Sequence, residues 1–406
     1  MDGAKKQLLI AGGGIAGMAA ALGATHAGWD VRVFERAAQF SEVGAGVQLG
    51  PNVVRRLQAW GLQAALQAVC VQPQRLRAHS ASSGQELASA PLGASMVQRY
   101  GAAYVTIHRA DLHQLLLQAV RGRAGVFINS GQPVEEILGT DGVATIRTRS
   151  HPCVEGDALL LADGVWSQLR GAVLGDHSRP RVSGHLAYRA LISMRDVPPA
   201  WRAQEVNVWL GPRLHAVHYP VRRGEFLNLV VIIEGPAPGD MTGWDHAANT
   251  EVLTAALAGS CRALRDLLAC IPASGLQWRL WPLSDRPPLT GPQGMARGLV
   301  GLIGDAAHPM RPYLAQGAGM AIEDAAELQR ALSMADLDVA TRLRRYALNR
   351  WQRNARVQAR SIRNGEIFHA TGAMRWGRDS AMRLLGSRLM DVPWLYRGDG
   401  ACATGW

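Results

Sequence analysis

Three short apolar runs in the chain end in a carboxylate, where a buried strand has no structural use for one. GLIGDAAHPM, residues 301–310, turns polar at Gly304 and Asp305. DALLLADGVWSQLR, residues 157–170, runs through Ala158–Ala162 into Asp163 and Gly164. DVRVFE, residues 30–35, closes on Glu35. In an open α/β sheet the ligand sits just beyond the carboxyl ends of the strands, so an acid there is aimed at it. An Asp-Gly pair alone is ordinary turn punctuation. The chemistry depends on what flanks each acid.

The Glu35 run has the fullest context. Gln7 to Ala11 reads as a buried strand, and Gly12, Gly14 and Gly17 follow as G-x-G-x-x-G. An alanine-rich helix then runs from Ile15 to Ala27, with Gly28 at its end. Gly12 makes a tight turn, Gly14 admits a pyrophosphate close to the backbone, and Gly17 lets helix and strand pack closely. The unpaired N–H groups of the helix start attract phosphate. Glu35, about 20 residues on, can accept hydrogen bonds from an adenosine ribose. Strand, glycines, helix and acid together specify dinucleotide binding.

The Asp305 run has a different partner. Leu299 to Ile303 reads as a strand and Gly304 permits close backbone approach. Pro309 and Pro312 delay any helix. Gln316, Gly317 and Gly319 then open a long helix through Ala331, whose N-terminus is an anion site.

The length of the chain suits two or three domains. It has 406 residues, 48% hydrophobic and 18% charged, with a formal charge of +11. Arg342, Arg344, Arg345, Arg350, Arg353 and Arg356 cluster at helical spacing among apolar residues, which reads as a solvated helix face and not a nucleic-acid stripe. The positive balance favours an anionic small substrate or a phosphate-bearing cofactor. Five cysteines without a C-x-x-C pair, together with the lack of an H-x-x-x-H pattern, argue against a disulfide framework and a metal site. The amino terminus lacks a cleavage box, and no apolar stretch reaches membrane-span length, so a cytoplasmic location is expected.

Residues 180–285 change character. HLAYRALISM, EVNVWLGP, LHAVHYPV and FLNLVVIIE read as antiparallel strands with Gly-Pro and Arg-Arg-Gly turns. His215 and Tyr219, four apart on one strand, share a face; His218 should lie on the other, with one histidine inward and one outward. Histidine is the natural base near neutral pH, though a hydrogen-bonded core histidine is the ordinary alternative. Trp209 is the tryptophan to watch as a pocket wall. His308 is expected to support the Gly-Asp turn, and His79, His108 and His113 to be structural. Val339 to His369 reads as one long helix or two. Asp379 to Met390, with Ala381, Leu384, Leu385 and Leu389, should pack against the dinucleotide-binding domain or a second subunit. Pro393 to Tyr396 suits docking.

GGGIAG, DGVWSQLR and GDAAHPMRPYLAQGAGMAIEDA, in this order and spacing, resemble the single-component FAD-dependent aromatic hydroxylases of the p-hydroxybenzoate hydroxylase-like fold. The resemblance spans nearly the whole chain. It implies an α/β protein: an FAD-binding Rossmann-like domain with an inserted antiparallel-sheet substrate domain and a helical C-terminal region. The expected boundaries are 1–179 and 286–335 for FAD binding, 180–285 for substrate, and 336–406 for the helical region. By resemblance Asp305, with Gly304, would hold ribityl hydroxyls of FAD. Gly317, Ala318 and Gly319 would face the flavin pyrimidine edge. Arg36, Arg109 and Asp163 would complete the cofactor set. With one dinucleotide fold present, NADH or NADPH would visit as a co-substrate.

GHLAYRAL, GPRLHAVHYPVRRGEFLNLVV and YGAAYVTIHRADLH are similar to 3-hydroxybenzoate 6-hydroxylases, and share much with salicylate and 6-hydroxynicotinate hydroxylases. His215 and Gln316 would then act on the substrate hydroxyl and Tyr219 would hold the aromatic acid. Gln48, where the 6-hydroxynicotinate enzymes carry histidine, favours 3-hydroxybenzoate, converted with O2 to gentisate. Decarboxylative hydroxylation of salicylate is the first alternative, and a non-oxygenating FAD oxidoreductase the alternative of another class. A homodimer or a monomer is expected, with no nucleic-acid partner.

Overall fold

The computed structural model describes residues 5–40, 45–236, 246–247 and 249–398. The chain divides into two compact units, each assembled from three separate stretches.

The first unit comprises residues 1–42, 112–181 and 284–362. Its sheet has six strands in the spatial order Ala296–Arg297, Val300–Leu302, Ala158–Leu161, Gln7–Ala11, Asp30–Glu35, Val126–Ser130. All neighbours are parallel except the first pair. Parallel strands are covered on both faces and need continuous apolar runs. Leu8, Leu9, Ile10 and all of Ala158–Leu161 meet that need, with no exposed surface. The helix Ile15–His26 follows the first strand and lies against the helix Gly317–Leu332. Gly23 sets that approach: a Cβ there would stand 2.7 Å from the Ala325 carbonyl oxygen.

The second unit comprises residues 43–111, 182–283 and 363–406. Its sheet runs His246–Ala247, Arg279–Asp285, Arg181–Ser193, Phe226–Glu234, Leu214–Val221, Glu205–Gly211, Arg75–Ser80, Glu86–Pro91. The central strands pair antiparallel, and Glu205–Gly211 pairs parallel with Arg75–Ser80. One sheet face shares a core of Tyr188, Trp209, Leu229 and Val231 with Leu253 and Leu264 from the helices Thr250–Leu257 and Arg262–Ala273.

Two expectations change here. His215 and His218 do occupy opposite faces, but neither points outward: they are 3% and 2% exposed. His218 lies with Trp201 and Trp209 on the core side, and His215 meets Phe368 and His369 on the other. Trp209 is wholly enclosed and stacked on His79 at 4.7 Å, so it is core and not a pocket wall. The C-terminal helices are Gly372–Leu385 and Ser387–Met390. Leu384 is 85% exposed in the single chain, and Leu385 and Leu389 are also exposed. Arg378 is buried and bonded to Asp379 and to the carbonyls of Ile367 and Phe368.

The long helix is unbroken, Val339–Phe368. The Pro393–Tyr396 turn docks as expected: Leu395 and Tyr396 are buried, and Arg55 donates to the carbonyls of Tyr396 and Arg397 at 2.8 and 2.6 Å. Among the described residues no helix is long and apolar enough to cross a membrane.

Candidate functional site

In the first unit the glycine loop forms as its spacing requires. Gly12 has φ +107°, and a Cβ there would stand 2.4 Å from the Ala162 carbonyl oxygen. At Gly17 it would stand 1.9 Å from the Gly12 carbonyl oxygen. Gly14 is different: it caps the helix at Ile15 and has nothing within 4 Å of its Cβ position. Two glycines serve packing and the third leaves room. Glu35 accepts hydrogen bonds from the Gly13 and Ala37 N–H groups, at 2.7 and 2.8 Å, which holds its carboxylate beside the loop. His113 bonds the Gly13 carbonyl at 2.7 Å, so this histidine braces the loop. Arg36 is exposed, and its charge reaches Asp163.

Asp163 follows the neighbouring strand, and Gly164 turns the chain at φ +82°. The buried Asp163 Oδ1 has no protein partner. Burial pushes its carboxyl up to about 6, against the pull of Ser167, nearby backbone N–H groups and Arg36. A buried acceptor without a donor is costly unless a ligand supplies one.

The Gly304–Asp305 turn sits on a buried ionic frame. Gly304 has φ +59°, and a Cβ there would lie 2.8 Å from the Ala16 methyl. His308 donates to Asp324 at 2.5 Å, and the Gly304 N–H approaches the same oxygen at 3.4 Å. Arg350 and Asn354 bond the other oxygen of Asp324 at 2.8 and 2.9 Å. Burial alone would raise the Asp324 carboxyl, but His308 and Arg350 hold it well below the usual range. Arg170 donates to the carbonyls of Ala306 and Ala307 at 3.0 and 3.3 Å. Arg350 also bonds Glu323 at 3.0 Å, and both are buried. Sequence spacing placed Asp305 and His308 here, missed Arg170 and Glu323, and took Arg350 for part of a solvated helix face.

Beyond the turn, Ala315 adopts φ +51°, a left-handed conformation that costs a non-glycine residue about 1 kcal/mol. It delivers Gln316, which is buried and whose carbonyl accepts from Met320 N–H at 2.7 Å. The helix begins at Gly317 and carries Ala318 and Gly319 in its first turn. Asp305 Oδ1 lies 4.0 Å from the Cβ position at Gly317. A carboxylate and a bare helix N-terminus therefore share one corner, suited to hydroxyls and to negative charge respectively.

The second unit holds the other candidates. Arg109 starts the helix Arg109–Arg121, and its N–H donates to Ala45 at 2.9 Å. Tyr219 is enclosed between Gly46, Gln48 and Asn228: a Cβ at Gly46 would stand 2.5 Å from the Tyr219 ring. Gln48 bonds both Tyr219 and Tyr104. Burial raises the phenol of Tyr219 far above its ordinary value, so it remains a protonated donor. His215 Nδ1 and His369 Nε2 are 2.8 Å apart and share one proton-bridged contact. Burial, then the neighbouring His369 and His185, hold His215 well below its ordinary pKa and so neutral.

The open space at Gly14, the Asp163 Oδ1 without a hydrogen-bond partner and the Asp305 corner fit FAD. The model for the FAD binding domain family matches residues 5–361, and the chain belongs to that family of flavoprotein monooxygenases, with FAD as its cofactor. It is 35% identical over 391 residues to a 3-hydroxybenzoate 6-hydroxylase of Polaromonas naphthalenivorans (strain CJ2), covering 96% of this chain and 95% of that one. It is 37% identical over 398 residues to the 3-amino-4-hydroxybenzoate 2-monooxygenase PtnB3 of Streptomyces platensis, covering 98% and 97%. A salicylate hydroxylase solved with substrate superimposes with a TM-score of 0.80 at 26% identity, covering 98% and 97%.

Proposed function

We propose that this flavoenzyme hydroxylates a phenolic aromatic acid, 3-hydroxybenzoate, to gentisate, consuming NADH and O2. The observation that carries the reading is the sheet face that His215 and Tyr219 share, about 13 Å apart along one strand, both side chains buried, the imidazole held neutral and the phenol held protonated. Bound FAD supplies the redox chemistry, taking electrons from the nicotinamide and activating oxygen. The chain's own residues prepare the ring. His215, uncharged, can accept the proton of the substrate phenol, which makes the ring more electron-rich. Tyr219, kept protonated, donates a hydrogen bond to the acid and fixes its orientation. Gly304, Asp305 and the N–H groups of Gly317, Ala318 and Gly319 hold the cofactor, with Gly12, Gly14, Gly17, Glu35, Arg36, Arg109 and Asp163. Gln316 is assigned to the substrate hydroxyl on family resemblance alone. Neither a requirement for a second subunit nor a nucleic-acid partner enters this reading.

The test is product analysis with purified protein, NADH, oxygen and a small panel of acids. Gentisate from 3-hydroxybenzoate supports the assignment. Catechol from salicylate keeps the hydroxylase and replaces the substrate, as does product from 3-amino-4-hydroxybenzoate. Hydrogen peroxide with no hydroxylated product from any of them rejects the proposal.

A further inference from the structure

Three residues far apart in sequence meet at one edge of the second unit. His185 and Glu234 are directly opposed in the register of their antiparallel strands. His369 closes the long helix, and two backbone bonds seat it beside them: Arg213 N–H to the His369 carbonyl at 3.0 Å, and Glu234 N–H to the Arg213 carbonyl at 3.1 Å. The rings of His185 and His369 stack at 4.8 Å, and His369 Nδ1 lies 3.4 Å from Glu234 Oε1. One nitrogen of each histidine and one carboxylate oxygen fall within 4.8 Å of one another.

The geometry points to a divalent transition-metal site of the zinc, cobalt or nickel class at His185, Glu234 and His369, whose occupation fixes the proton position on His215. Two imidazoles and one carboxylate form the donor set of an open zinc site, with a fourth position left for solvent. Zn–N bonds of about 2.1 Å put tetrahedral ligand atoms about 3.3 Å apart. The His369–Glu234 pair already has that separation, whereas His185, its ring stacked on His369, must rotate out of the stack to bring a nitrogen to the same ion. Burial is graded: His369 is enclosed, His185 half-buried and Glu234 40% exposed on its side chain, so a hydrated ion has an entry. Arg213 competes for Glu234 from 3.9 Å, but its side chain is 76% exposed and can swing into solvent. An exposed pair of that kind contributes little.

Ligating histidines use their other ring N–H on an outer partner, which fixes their tautomer. Here that partner is His215. With the metal on Nδ1, His369 must carry its proton on Nε2 and donate it to His215 Nδ1. His215 must then hold its own proton on Nε2, where it donates and no longer accepts. A metal at this edge therefore removes the acceptor that the proposed reaction uses. Only this second statement rests on the hydroxylase reading; the site itself does not.

The experiment starts from FAD-loaded protein freed of metal with a chelator, then dialysed against Co2+ or Zn2+. One equivalent per chain is expected, with visible absorption from low-symmetry Co2+ resolved from the flavin by difference. His185→Ala and Glu234→Gln should each lose the uptake while keeping flavin content and thermal stability. No stoichiometric uptake by the parent, or parent-like uptake by both variants, overturns the site. In the second arm Zn2+ should slow aromatic-stimulated NADH oxidation about a hundredfold, the low end of what a general base contributes. His185→Ala should be insensitive. Stoichiometric uptake with an unchanged rate overturns the link to His215 and leaves the site standing.

Discussion

His215 and His218 differ by three positions and serve opposite ends. His215 meets His369 on one sheet face; His218 is sealed among Trp201, Trp209 and His79 on the other. Replacing His215 with alanine should lower kcat about a hundredfold with little change in flavin content, as expected for loss of a positioned base, and steady-state oxygen uptake with product analysis checks it. His218 acts on stability. Burial first, then His79, lowers its pKa to about 3, whereas the unfolded chain titrates near 6.5. Between those values the unfolded state binds the extra proton, so stability is lost as pH falls from 6.5 towards 3, at up to about 1.4 kcal/mol per pH unit. His218→Phe removes this term. Urea melts at pH 7 and pH 4.5 should show a smaller loss in the variant than in the parent; equal losses would sink the assignment.

At the level of elements, what could be read in advance was local. The strand Gln7–Ala11, the helix after Gly14 and the turn at Gly304 are each encoded within about 20 residues, where glycine spacing and apolar runs carry the signal. What could not be read joins distant positions. Arg170 reaches the Ala306 carbonyl, Gln48 reaches Tyr219, and His369 reaches His215 across 154 residues; none leaves a pattern along the chain. The glycine loop offers a sharp element-scale test. Gly14→Val should leave apoprotein stability almost unchanged, because nothing occupies its Cβ position, yet weaken FAD binding at least tenfold. Gly12→Ala should instead destabilise the fold itself by roughly 2 kcal/mol or more, from positive φ and the Ala162 carbonyl. Thermal melts of apoprotein with flavin titration separate the two; equal loss of stability in both would contradict the cradle.

The whole molecule is two units threaded through one another by sequence, with the chain passing between them repeatedly. In the first unit Ala158–Leu161 pairs on one side with Gln7–Ala11 and on the other with Val300–Leu302. A fragment ending at residue 290 lacks that last strand and the Asp305 turn. It should bind no FAD and show no cooperative melt of the first unit, measured by flavin fluorescence and circular dichroism; a yellow, cooperatively melting fragment would contradict the topology. The same threading has a consequence during synthesis. A ribosome adds about 5–20 residues per second, so the first strand waits roughly 15–60 s for Val300–Leu302 to emerge. Throughout that interval Leu8, Leu9 and Ile10 belong to an unfinished surface. The corner that Asp305 and the helix start at Gly317 form for the flavin is thus completed only after most of the polypeptide has been made.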